Sequence, residues 1–264
     1  MAKQSSMVGV EKRSWGLPRL ALALCGCAWV LSAGACSTVE PPTGSTSQAA
    51  LSASPTLADL RGRFVKRFTS PDGEPGSEPV FPIGPATLSR SAGRISGTVV
   101  GESAAKVSVA EVPTSGVQVS ARGGTAGFTL DGIGQVTAEL AEGYVIFPHA
   151  LAGKHTVLIR PSREGIEDFI VFESAPPIPK VTYTTKLDGV AGLRLVGNVL
   201  EMLDRTGTPV LRIRAPEIVD RDGKTIAAKL GVSGCAVDTN AAPPWDRSMC
   251  RAPVGWRADL IPIT

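Results

Sequence analysis

Few residues in this chain have the type and spacing to do chemistry. The sequence holds two histidines and five cysteines. His149 and His155 lie beside or within predicted strands, with no carboxylate or cysteine at metal-ligand spacing, so the expectation is two structural histidines and no metal site. Glu167 and Asp168 could be offered as an acid and a base, but neighbours on a strand point to opposite faces and would not share a site. They read as a pair at the edge of a turn. The chain contains no G-x-S-x-G, no HExxH, no P-loop and no dinucleotide-binding glycine pattern. A hydrolase using Cys235 or Cys250 with a histidine would need a free thiolate. The expectation is a protein that is not an enzyme, with no catalytic residue and no cofactor.

The cysteines have another explanation. Lys3, Lys12, Arg13 and Arg19 form a positive leader, followed by a charge-free apolar run over residues 20–31 and then Ser32-Ala33-Gly34-Ala35-Cys36. That order is a secretory signal peptide, and the run is shorter than the ~20 residues a helix needs to cross a bilayer. Ala33-Gly34-Ala35-Cys36 resembles a bacterial lipobox, in which the cysteine becomes the acylated first residue of the mature chain. Ala33 stands where a branched aliphatic residue is usual, and the same residues satisfy the A-x-A rule of ordinary cleavage. Lipidation at Cys36 is expected, with ordinary cleavage as the alternative. Cys25 and Cys27 then leave with the signal, and Cys235 and Cys250 remain as a disulfide pair in an oxidising compartment. Two buried free thiols are the alternative for that pair.

Composition narrows the fold. The formal charge is +3, from 27 basic and 24 acidic residues, and several of the positive charges lie in the leader, so nothing favours nucleic acid as a partner. The 29 glycines and 21 prolines suit many turns between short strands, and 5% aromatics leave a core of aliphatic residues. An all-β fold follows. Residues 37–58 are too poor in large apolar residues to bury a core, which predicts a disordered Ser/Thr/Pro-rich tether. Residues 57–68 have the pattern of a short basic amphipathic helix, but Gly62 interrupts it, and a solvated segment or edge strand is the preferred reading. Five prolines in 70–93 predict a second linker or a wrapped loop, without regular structure.

From Arg94 the pattern changes to short alternating runs bounded by Gly, Pro or Ser, with Val117 and Val119 on one face and Gln118 and Ser120 on the other. Further strands are predicted over 144–147, 155–160, 169–172 and 181–187. Hairpins are predicted at Gly197-Asn198 and at 204–207, and a third turn at 220–223 leads into a strand over 226–232. The domain expectation is signal 1–35, tether and linker 36–93, β-rich subdomain 94–142, antiparallel β-sandwich or meander 143–250 and tail 251–264.

The runs starting at Gly143-Tyr144, Gly165-Ile166, Gly192-Leu193 and Pro209-Val210, with Pro216, Ile218-Val219-Asp220, Gly234-Cys235 and Pro244-Trp245, resemble an N-terminal module of large secreted or surface proteins of myxobacteria and relatives. In that family the module precedes propeller-type or Rhs-like repeats. The resemblance covers roughly residues 140–250 and implies a β-sandwich-like extracellular module without catalytic residues. It departs at 251–264, where the family continues into another strand and repeats, so a truncated relative and a stand-alone lipoprotein are both open. The functional expectation is a structural or interaction module at the cell envelope, held at the outer membrane by lipid on Cys36 or otherwise secreted, with an unknown protein or glycan partner. The alternative is a carbohydrate- or peptide-binding module, supported if Tyr144, Trp245 and Trp256 form an exposed aromatic cluster. An envelope hydrolase ranks third.

Overall fold

The computed structural model describes residues 3–9, 54–99, 105–121, 123–176, 180–220, 222–241 and 254–259; of 3–9 and 254–259 it describes the backbone alone. The chain forms β1 (Lys3–Gly9), α1 (Pro55–Arg63), β2 (Val65–Thr69), β3 (Pro75–Pro79), β4 (Ala86–Ser91), β5 (Arg94–Val99), β6 (Lys106–Ala110), β7 (Val117–Ala121), β8 (Gly124–Leu130), β9 (Glu139–Ala141) and β10 (Tyr144–Leu151). There follow β11 (His155–Pro161), β12 (Gly165–Val171), β13 (Lys180–Asp188), β14 (Gly192–Val196), β15 (Val199–Leu203), β16 (Pro209–Ile213), β17 (Glu217–Val219), β18 (Thr225–Ala227), β19 (Lys229–Ser233) and β20 (Val254–Asp259). The fold is all-β and its ladders are antiparallel.

Two sheets pack as a sandwich. The first has the order β14-β15-β16-β1-β12-β11-β10-β9, with β17 and β18 joining beside β1; the second runs β19-β20-β13-β8-β7-β6-β5-β4. Alternation places one row of each sheet inward: Ile95, Val107, Val119, Ala126 and Phe128 from the second sheet meet Val145, Val157, Ile159, Ile166, Ile170, Leu200 and Leu211 from the first. Regions 94–142 and 143–250 thus contribute to one core, because β13 leaves the later region to pair with β8, and β19 leaves it for the second sheet. The strand predicted over 226–232 is divided at Ala228. Its first part, β18, stays with β17, and its second part, β19, crosses to the other sheet.

The turns form as their residues dictate. Gly197 and Asn198 both have positive φ, +57° and +62°, and connect Val196 directly to its partner Val199. The Asn198 side chain also donates to Ala228 O (2.7 Å) and accepts from Leu230 N–H (2.7 Å), so the hairpin tip holds the crossing between sheets. Asp204 Oδ1 accepts from the Thr206 and Thr208 amides, and Asp220 Oδ1 accepts from those of Asp222 and Lys224. The Thr206 hydroxyl and these amides hold the Asp204 carboxyl below its usual range.

The stretch expected to be tether and linker contains regular structure from residue 54 onward. Ser54 caps α1, its Oγ accepting from Leu57 N–H (3.3 Å), Pro55 sits in the first turn, and Arg61 and Arg63 sit in the last. Gly62 is exposed in that last turn, where its propensity cost of ~1 kcal/mol is smaller than the gain from burying Leu57, Leu60 and Phe64. Pro75 and Pro79 close the ends of β3, which among the described residues pairs with β2 alone and so has an edge where a missing N–H costs least. Beyond it, Gly84 lies against Gly143: a Cβ on Gly84 would meet Gly143 O at 2.9 Å, and Gly143 has φ +81°. This close approach lets 80–84 cross the outer face of the first sheet, where Phe81 packs with Leu57, Leu60, Phe64, Tyr144, Leu158 and Phe169.

Among the described residues no helix is long and apolar enough to cross a membrane.

Candidate groove over the first sheet

The candidate site grows from β11 and β12, whose register pairs Arg160 with Glu167 and Leu158 with Phe169. All seven residues of β12 are buried, including Glu167 and Asp168, so the pair sits in mid-strand and not at a turn edge. The strand extends from Gly165, because the two carboxylates are satisfied on opposite faces. Glu167 faces outward and forms an ion pair with Arg160; Asp168 faces the core and accepts from the Tyr183 hydroxyl.

On the outer face the Arg160 guanidinium lies over the rings of Phe169 (5.8 Å) and Tyr144 (5.9 Å). Tyr144 Oη donates to Pro82 O (2.8 Å) and accepts from Arg160 Nη1 (3.5 Å). Burial pushes the Tyr144 phenol up to about 12, so it stays a neutral donor. The rings of Phe81, Tyr144 and Phe169 contact one another with centroids 5.4 to 6.5 Å apart. Beside this cluster lies a groove of about 300 Å³ whose rim carries Lys66, Glu78 and Glu217. Lys66 Nζ is 3.3 Å from Glu217 Oε2. Like charges are interleaved with opposite ones, which suits a chain with polar backbone groups better than a free anion or cation. The aromatics of this cluster, of which Phe169 lines the groove, are scattered in sequence, but a chain with seven phenylalanines and two tyrosines places Phe64, Phe81, Phe169 and Tyr144 together.

Two other places could hold chemistry. Asp168 and Tyr183 border an apolar cavity of about 40 Å³, room for roughly one water and not for a substrate. The outer face of the second sheet has a groove of about 360 Å³ lined by Thr125, Thr129, Thr184, Lys186, Asp188 and Arg94. Its hydroxyls suit sugar hydroxyls, but its one aromatic, Phe128, is 5% exposed.

The remaining sequence candidates are dispersed. His155 is buried against Phe172 and accepts from Glu173 N–H at Nδ1 (3.2 Å), which places its proton on Nε2; burial lowers its pKa. His149 is exposed at the bulge within β10, with Nδ1 3.0 Å from Lys154 O. Among the described residues no group of three His, Cys, Asp or Glu side chains could hold a metal ion. Tyr144 is fully buried, so it belongs to no exposed aromatic cluster; Trp245 and the side chain of Trp256 lie outside what is described. Cys235 is half-buried beside the core, while Cys250 and Cys36 lie outside the described residues. After Cys235 the chain returns to the first sheet, where Asp238 pairs with β14 through Leu195 N–H to Asp238 O (2.8 Å) and Asp238 N–H to Leu193 O (3.0 Å).

No protein-family model matches the chain, and no curated protein or solved structure is found to be similar to it.

Proposed function

We propose that the protein is an exported, lipid-anchored β-sandwich that serves as a non-enzymatic interaction module at the cell envelope, akin to the β-rich modules of large myxobacterial surface proteins. The observation that carries the reading is how the buried ionisable groups are used. Glu167 pairs with Arg160 on the next strand, Asp168 with Tyr183 across the two sheets, and Glu201 with both Arg194 and Arg212 on the strands beside it, so these charges hold strands together. Lipid on Cys36 would hold the module at the outer membrane, with the tether ahead of Ser54 setting its reach. Metabolic labelling with a palmitate analogue tests the anchor. The wild-type chain should be labelled and Cys36→Ala should not; an unlabelled wild-type chain refutes it.

Within the binding readings, the mixed-charge groove over the first sheet favours a peptide over a carbohydrate.

A further inference from the structure

The middle position of the first sheet is occupied by the segment that export would remove. β1 pairs along its whole length with β12, from Lys3 opposite Val171 to Gly9 opposite Gly165. On its other side it pairs with β17 (Lys3 opposite Val219, Ser5 opposite Glu217) and with β16 (Val8 opposite Ile213, Gly9 opposite Arg212). In the sheet order β1 is what joins β12 to β16. Cleavage ahead of Cys36 would therefore leave two facing strand edges, β12 and β16–β17, with their inward N–H and C=O groups unpaired. These edges are not at the solvent rim. Ile166, Ile170, Leu211, Ile213 and Ile218 line the inner side of the gap, and Phe169, Val171 and Val219 line the outer side. Unpaired backbone groups in such surroundings are costly, and one added strand would satisfy both edges together.

We propose that processing opens a seven-residue slot between β12 and β16–β17, and that an extended segment of another envelope protein enters it antiparallel to β12. The proposal rests on the export reading given above. The register states what the segment must carry. Residues directly opposite in an antiparallel pair point to the same face, so the positions opposite Ile166 and Ile170 face the core and take apolar side chains. The position opposite Asp168 takes a small or polar one. The two interior positions opposite Phe169 and Glu167 face the groove with Arg160 and Glu217, where mixed charge admits polar residues. The chain's own segment has Val8 opposite Ile166 and Gln4 opposite Ile170. A second copy cannot supply the same strand, because processing removes it from every copy. Main-chain pairing would supply affinity and the two core positions specificity.

The test uses the protein purified from the envelope of an export-competent bacterial host. Its N-terminus is read by intact mass, and binding of fluorescent peptides is read by anisotropy together with amide hydrogen exchange. Three peptides are used: residues 2–10 of this chain, the same with Gln4→Ile, and the same with Ser6→Pro. The processed protein should bind the first, bind the Gln4→Ile peptide about tenfold more tightly because an apolar residue enters the core position, and ignore the Ser6→Pro peptide. Exchange at those amides of Gly165–Val171 that point to the slot should be fast without peptide and slow with it, while the amides bonded to β11 stay slow in both. A processed chain that folds only when peptide is added supports the proposal equally. It is overturned if the processed protein folds yet binds no peptide, or if the proline peptide binds as well as the others. It is also overturned if the slot-facing amides of Gly165–Val171 are already protected without peptide, by the chain's own segment or in a dimer, or if the processed chain stays unfolded with peptide present. An N-terminus at Met1 instead refutes the export reading, and the slot then stays filled by its own strand.

Discussion

Replacing Glu201 with alanine should destabilise the protein strongly. Glu201 lies on β15 between Arg194 on β14 and Arg212 on β16, directly opposite both in register. Its carboxylate accepts from Arg194 Nε (2.6 Å) and Arg212 Nε (2.8 Å), and the three side chains are 12%, 12% and 22% exposed. Removing one partner of a buried ion pair costs ~3–5 kcal/mol, and the partial exposure of Arg212 sets the expectation at the lower end, about 3 kcal/mol. For a domain of this size that lowers Tm by roughly 6–12 °C. Replacing all three residues together, by Arg194→Met, Glu201→Leu and Arg212→Met, removes the uncompensated charges as well and should bring stability back to within about 1 kcal/mol of wild type. Urea unfolding followed by circular dichroism reads both variants. A charge cluster kept for ligand chemistry would behave oppositely, since functional sites tend to cost stability and their removal tends to restore it. A Glu201→Ala variant as stable as wild type, or more stable, would refute the scaffold role.

Three further expectations concern other parts of the molecule. Phe81 is fully buried among Phe64, Tyr144 and Phe169, so Phe81→Ala should cost ~3–5 kcal/mol and make α1 protease-sensitive; no change in either would mean that 54–82 is a loose tether. Because burial lowers the His155 pKa from 6.5, its contribution is complete above that value and falls away as pH drops towards the folded-state pKa; His155→Gln should flatten the pH dependence of Tm below pH 6.5, and an unchanged slope would count against a buried neutral histidine. If Cys235 and Cys250 are bridged, non-reducing mass analysis should show the loss of two hydrogens, and reduction should lower stability by ~3 kcal/mol on the chain-entropy estimate. Two free thiols in protein taken from the envelope would refute the pair.

Local chemistry was the legible part of the sequence. The turns at Gly197-Asn198, Asp204 and Asp220 are written in residues that tolerate positive φ or bond their own backbone, and Val117, Val119 and Gln118 show the alternation of a half-buried strand. β12 was legible only from Phe169 onward, because both of its faces are covered. A strand buried on both sides has no alternation, and its two central carboxylates suggest a turn until their partners Arg160 and Tyr183 are known. The prolines of 70–93 hid β3 and β4, since an edge strand tolerates what an inner strand does not. The choice of sheet for β13 and β19 was not legible at all, since it depends on contacts with β8 and β20 distant in sequence. The groove followed the same rule: its wall joins Val80 to Phe169, and its rim joins Lys66 to Glu217. No motif spans such distances.

The mature N-terminus is the most direct test of export, anchoring and the opened sheet together. Intact-mass analysis of the protein extracted from the membrane fraction should give a chain that begins at Cys36 and carries lipid. A chain that begins at Met1 and carries no lipid would contradict it, and would leave Lys3–Gly9 as a permanent strand of the first sheet.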